Sequence, residues 1–287
     1  MSLTTIKNDK LEVVIDSYGA ELASIKCNDG KERLWQGDAK FWGNRAPVLF
    51  PIVSRLTNNK YTYNGTEYEM FCHGFASHSE FELESAGADR AVFLLCSDDK
   101  TRACYPFDFE FRVDYYLEGN SLCIGFDIRN MTDGDMYFST GSHEGLSCPG
   151  GVSNYSIVFD ETEESLDSLI VDKDRGVLSD TYNVGKNTRE IKLRDDYFTV
   201  DALIFLNLKS NGLSVRDDRT GESVHIDFTG FDTILIWSKC GAPYVCIEPW
   251  SGCPDLPDHP YSDFSEKYRI NKLQKGESRK YLHKLTF

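Results

Sequence analysis

Apolar and polar residues alternate with a period of two along this chain from end to end, a pattern that fits strands with one buried face and fits helices poorly. It runs through Leu11–Asp16, Ala91–Cys96, Phe107–Tyr115, Ser121–Ile128 and Ser223–Phe228. Turn signals fall between such runs: Asn28-Asp29-Gly30, Asn64-Gly65, Glu118-Gly119-Asn120, Asp133-Gly134 and Asp218-Arg219-Thr220-Gly221. Many short strands at a spacing of roughly 8–12 residues predict a sandwich or barrel rather than a βαβ fold. No amphipathic helix longer than two or three turns is expected. The best short-helix candidate is Ala39–Trp42, with a weaker one at Glu163–Leu169, and the acidic stretch Asp160–Glu164 reads as a solvated loop. No linker, composition break or repeat divides the chain, so one large all-β domain over residues 1–287 is expected.

Charge and cysteine usage narrow the function classes. The formal net charge of −15 disfavours nucleic acid, which demands a Lys/Arg surplus, and gives no support for docking on anionic membranes. A small neutral ligand fits best. The 13% aromatic share suits both strands and a sugar-binding cleft. Nine cysteines occur without any C-x-x-C pair. That odd number, with no apolar leader at Met1-Ser2-Leu3-Thr4 and no apolar stretch of about 18 residues, predicts a cytoplasmic protein with reduced thiols. Cys123, Cys246 and Cys96 lie in apolar runs where cysteine acts as a small buried hydrophobe.

Four segments break the strand rhythm with polar chemistry. In Tyr244-Val245-Cys246-Ile247-Glu248-Pro249-Trp250 a strand delivers the carboxylate of Glu248 at its end, Pro249 stops the pairing, and the Trp250 indole offers a flat face. An acid beside an indole suits a sugar: the carboxylate takes a hydroxyl hydrogen while the ring covers an apolar sugar face. Taken alone, the same Glu fits a surface acid before a turn. Arg55 ends an apolar run restricted by Pro47 and Pro51, and its guanidinium suits paired hydroxyls or a surface ion pair. His73 precedes Gly74, which permits close backbone approach, and His143 sits among small residues; each suits proton transfer or a structural hydrogen bond. His78 falls in a polar run and reads as surface. The adjacent His143-Glu144 pair is no metal motif and lacks a third ligand, so neither metal nor cofactor is expected.

Together these segments resemble the aldose 1-epimerase (galactose mutarotase) family, and in particular its shorter bacterial branch, often called LacX-like. The resemblance rests on Gly19-Ala20-Glu21-Leu22, Leu34-Trp35-Gln36-Gly37-Asp38 with Phe41-Trp42, and Phe50-Pro51-Ile52-Val53-Ser54-Arg55-Leu56. It continues through His73-Gly74-Phe75-Ala76, Asp201-Ala202-Leu203-Ile204-Phe205 and Cys246-Ile247-Glu248-Pro249-Trp250. It implies a large antiparallel β-supersandwich. It also implies a cofactor-independent isomerase in which His143 protonates the sugar ring oxygen and Glu248 removes the anomeric hydroxyl proton. His73 and Arg55 match positions that bind hydroxyls, and Asp201 matches a substrate-binding acid.

Two departures bear on substrate. Ser77 stands where the family commonly carries Arg, which with the −15 charge disfavours a hexose phosphate. Ser142-His143-Glu144-Gly145-Leu146-Ser147 stands where the family often shows Gly-His-Pro-x-Phe-Asn, and Glu144 is expected to raise the His143 pKa. The leading expectation is a mutarotase acting on an unphosphorylated hexose. Its rival is a non-catalytic carbohydrate-binding or sensing protein on the same fold. The sequence leaves the oligomeric state open.

Overall fold

The computed structural model describes residues 2–172 and 176–287. Every strand ladder in it is antiparallel, and two sheets carry the architecture. The larger has nine strands. From one edge to the other they are Gly176–Lys192, Tyr155–Asp172, Gly212–Asp217, Ser223–Asp227, Ser278–Thr286, Ser121–Asn130, Phe109–Glu118, Arg90–Cys96 and Glu82–Ala86. The smaller sheet orders Thr140–Gly141, Tyr244–Ser251, Thr233–Trp237 and Leu203–Phe205, with Glu144–Ser147 also on Tyr244–Ser251. A three-stranded sheet of Leu3–Lys7, Leu11–Asp16 and Leu22–Cys27 and two small ribbons complete it.

The alternation read from the sequence is the burial pattern of the sheets. In Phe109–Glu118 residues alternate between buried and half-buried from Phe109 to Leu117. Phe109, Phe111, Val113 and Tyr115 enter the main core while Glu110, Arg112 and Asp114 face out into ion pairs. The Tyr244–Ser251 strand is different, because it is buried along its whole length. One face, with Val245 and Ile247, joins the core shared with Phe111, Phe126 and Ile157 of the large sheet. The opposite face, with Tyr244, Cys246, Glu248 and Trp250, is covered by the N-terminal connection that includes Trp35, Trp42, Leu49 and Val53. The site lies between that second face and its cover.

Several expectations are corrected. Ala39–Trp42 is a turn: Asp38 accepts the backbone N–H groups of Phe41 at 2.9 Å and Trp42 at 3.0 Å, and Gly43 follows at once. Glu163–Leu169 and the acidic stretch before it belong to the long strand Tyr155–Asp172. Within it Glu163 turns inward, 3% exposed, and accepts backbone N–H bonds from Lys209 (2.9 Å) and Ser210 (2.8 Å), which explains a buried acid. The α-helix that does form is Asp99–Cys104, started by a capping box in which Asp98 and Thr101 exchange side-chain bonds. Pro249 does not end its strand, which continues to Ser251. Cys123 and Cys246 are buried as expected, whereas Cys96 ends its strand exposed. All nine cysteines are free thiols. Among the described residues no helix is long and apolar enough to cross a membrane.

Candidate active site

Strand register brings the central pair together. Gly141 pairs with Trp250 and Glu144 with Ile247, and the same register carried across the gap sets His143 opposite Glu248. Pro249, which has no N–H to give, sits across from that gap, and its carbonyl accepts from Ser142 N–H at 3.1 Å. His143 Nε2 lies 3.3 Å from Glu248 Oε1, with Glu248 1% exposed. Gly141 is required beside them: a Cβ there would fall 2.5 Å from Trp250 Cδ1 and 2.7 Å from the Pro249 carbonyl oxygen.

Burial dominates the protonation of the pair. It pushes the His143 imidazole well below its ordinary value, with the nearby His73 ring acting in the same direction. It pushes the Glu248 carboxyl well above its ordinary value, helped by the Asp201 and Glu144 carboxylates, while Trp250 pulls the other way. The arrangement that burial favours is therefore uncharged, with the proton on Glu248. Glu248 Oε2 and His143 Nδ1 are buried without hydrogen-bond partners in the protein. Such atoms lose hydration without return unless something else bonds them.

Glu144 does not act on His143 as expected. Neighbouring residues of an extended strand point to opposite faces, and Glu144 faces away, hydrogen-bonded to Ser142 Oγ and to His283 Nε2 (3.2 Å).

The other expected residues gather around the pair. His73 and Ser54 hold each other: His73 N–H donates to the Ser54 carbonyl at 2.8 Å, and Ser54 N–H donates to His73 Nδ1 at 3.1 Å. With Nδ1 accepting, the neutral ring carries its hydrogen on Nε2 and can donate from there. Desolvation, followed by the Arg55 charge, pushes His73 down to about 4, so the ring is neutral at physiological pH. It lies 5.4 Å from His143 and 5.7 Å from Trp250, edge-on to both. Arg55 is exposed at the mouth and acts on His73, Cys72 and Asp201. Asp201 precedes the edge strand Leu203–Phe205; desolvation raises its carboxyl above the ordinary value while the Arg55 charge pulls it down.

Trp250 is 1% exposed, with its ring packed among Leu49, Val53 and Leu235 below the pair. The half-buried indoles beside His143 are Trp42, stacked at 4.9 Å and 27°, and Trp237, edge-on at 5.6 Å. Neither indole is assigned a role by the sequence patterns, although Trp42 lies within a family-like motif. The tryptophan in Thr233-Ile234-Leu235-Ile236-Trp237, ending an otherwise aliphatic strand, was the available signal.

The chain is similar to known proteins over nearly its whole length. The family model described as aldose 1-epimerase matches residues 2–279. The plasmid-encoded protein LacX of Lactococcus lactis is 32% identical over 259 residues, covering 86% of this chain and 87% of that protein. A galactose mutarotase related enzyme from Lactobacillus acidophilus is 34% identical, with a TM-score of 0.92, covering 99% of this chain and 97% of the other. A galactose mutarotase-like protein from Lactobacillus casei shares the fold at a TM-score of 0.93 and 23% identity, covering 99% of both chains.

Proposed function

The chain belongs to the aldose 1-epimerase family, in its LacX-like branch, and we propose that its His143–Glu248 pair interconverts the α and β anomers of an unphosphorylated hexose. The observation that carries this reading is one buried acid–base pair, 3.3 Å apart, whose remaining polar atoms lack partners.

In the proposed reaction the pair starts with one proton. Sugar hydroxyls donating to the Glu248 carboxylate replace its lost hydration and shift that proton across the short contact to His143. Glu248 then removes the anomeric hydroxyl proton while His143 delivers its own to the ring oxygen. The bond from C1 to the ring oxygen breaks as the C1 carbonyl forms, which yields the open-chain aldehyde. Rotation about C1–C2 exposes the other carbonyl face, and the same transfers run in reverse close the opposite anomer. Each positioned proton transfer contributes about 10²–10⁴-fold. His73 donates to a sugar hydroxyl from Nε2, Arg55 donates at the mouth, and Asp201 accepts. Trp42 and Trp237 offer the apolar ring surface, and Trp250 supports Glu248 from below.

The carboxylates of Glu144, Asp201 and Glu248 acting on this site favour a neutral substrate over a sugar phosphate. The test is polarimetry of freshly dissolved α-glucose and α-galactose with the purified chain, the spontaneous rate subtracted. Acceleration abolished in His143→Ala is the expected result. Sugar binding with no acceleration in the unmodified protein would assign the site to carbohydrate sensing instead.

A further inference from the structure

We propose that His143, Cys246 and Glu248 form a three-ligand site for a borderline-soft divalent cation, zinc foremost, and that its occupation shuts down the acid–base pair. One ligand atom from each residue, the imidazole nitrogen, the thiol sulfur and a carboxylate oxygen, lies within 4.8 Å of the other two, and all three residues are buried. The missing third ligand, which argued against a metal at the level of sequence, is Cys246. The strand supplies it by the same period-two geometry that places Glu248: residues 246 and 248 share one face, and His143 meets that face from across the sheet.

The donor set selects the ion. Tetrahedral zinc, with bonds near 2.0–2.3 Å, holds its ligand atoms about 3.3–3.6 Å apart. The His143 Nε2–Glu248 Oε1 separation of 3.3 Å already meets that, and the sulfur has at most about 1.2–1.5 Å to close. Magnesium and calcium are excluded by a nitrogen and a sulfur among three donors. Binding releases the Cys246 and Glu248 protons to solvent; the resulting thiolate, carboxylate and neutral imidazole carry two negative charges, so a divalent ion makes the buried site neutral. The Asp201 and Glu144 carboxylates, which both act on Glu248, favour a cation further, and Arg55 opposes it from the mouth. Three protein ligands leave the fourth position open to water or a sugar hydroxyl. Glu248 Oε2, orphaned and in a 1%-exposed side chain, is the second observation pointing to a bound group.

Binding stands independently of the epimerase reading, but its effect on turnover rests on that reading. The experiment is titration of the full chain with cobalt(II), the spectroscopic stand-in for zinc, in a Cys96→Ser, Cys240→Ser background that removes the exposed thiols. A thiolate-to-cobalt charge-transfer band saturating at one equivalent and bleached by added zinc is expected. It vanishes in Cys246→Ser. In Glu248→Gln, which keeps the thiol, affinity falls by at least the roughly tenfold to hundredfold that loss of an outer-shell partner costs. If Cys246→Ser fails to fold by circular dichroism, Glu248→Gln and His143→Ala carry the test. Absence of the band, its survival in Cys246→Ser, or an affinity unchanged in Glu248→Gln or His143→Ala would overturn the site. Zinc added to the unmodified enzyme should suppress turnover in proportion to occupancy, with recovery on chelation. Cobalt binding in a protein with no basal turnover would sink the epimerase reading and leave the metal site intact, whereas turnover unaffected at saturating zinc would refute the shutdown.

Discussion

Replacing Glu248 with glutamine separates the proton-transfer role of this side chain from its place in the fold. Glutamine has nearly the same shape and carries no charge, so it resembles the uncharged carboxyl that burial favours at a 1%-exposed position. It can still bond His143 Nε2 but cannot take a proton from a sugar. Loss of one positioned transfer predicts a kcat lower by about 10²–10⁴-fold, or about 3–5 kcal/mol on the barrier. Stability should move differently. In the unfolded chain Glu248 titrates near its ordinary 4.5, while in the fold burial raises it. The folded state therefore gains nothing from ionisation, and stability falls as pH rises from 4.5 toward the folded value. The slope approaches 1.4 kcal/mol per pH unit. Glu248→Gln lacks that loss. Its Tm at neutral pH should match or exceed that of the parent, and the difference should disappear near pH 4.5. Polarimetric rates, corrected for the spontaneous reaction, and thermal unfolding by circular dichroism across that pH range measure both. Retention of the full rate would remove Glu248 from the mechanism. A lower Tm at neutral pH would refute the uncharged, buried carboxyl from which the argument proceeds.

The kcat/KM profile should be a broad bell. Its acid limb should lie below the ordinary histidine value of 6.5 and its alkaline limb above the ordinary carboxylate value of 4.5, because burial moves His143 down and Glu248 up; an acid limb at or above 6.5 refutes this, the two limbs belonging to the pair rather than to either residue. Trp42→Ala removes the ring stacked on His143 and admits water. The acid limb should shift upward and KM rise by about threefold to tenfold, the equivalent of roughly 0.5–1.5 kcal/mol of ring contact. Glu163→Ala strips the acceptors from two backbone N–H groups and should cost about 2–4 kcal/mol by urea denaturation at unchanged kcat. Gly141→Ala drives a Cβ against Trp250 and the Pro249 carbonyl, so about 1–3 kcal/mol of stability and much of the activity should be lost together.

The sheets were legible wherever one face of a strand is wet, as in Leu11–Asp16 and Phe109–Glu118, because alternation records that asymmetry directly. Legibility failed where the solvent side is itself covered. Glu163 reads as part of a solvated acidic run, and only the backbone of Lys209 and Ser210, distant in sequence, makes its burial tolerable. The site divides along the same line. Arg55, His73, His143, Asp201 and Glu248 were visible as chemistry-bearing residues in unusual local settings, and the fold brings all five to one face of the small sheet and its cover. Trp237 and Cys246 were not visible as site residues, since each gains its role from a neighbour about 100 residues away across a strand pair. The expected effect of Glu144 on His143 failed for a reason the sequence did hold. In an extended chain adjacent side chains diverge, so Glu144 points away from the imidazole.

That divergence also explains how His143 is held. Ser142 and Glu144 face inward from the short segment that carries His143, and Glu144 meets His283, which is 0% exposed in the Ser278–Thr286 strand of the large sheet. A one-residue slip of the segment would exchange the faces of His143 and Glu144. It would set one carboxylate against another at Glu248 and leave His283 buried without its partner. Breaking a buried pair by removing one member costs about 3–5 kcal/mol, so the slipped arrangement is disfavoured on both faces at once. Glu144 thus has a use in this chain. It ties the two sheets together directly behind His143, and the register it enforces is the one that leaves His143 facing Glu248.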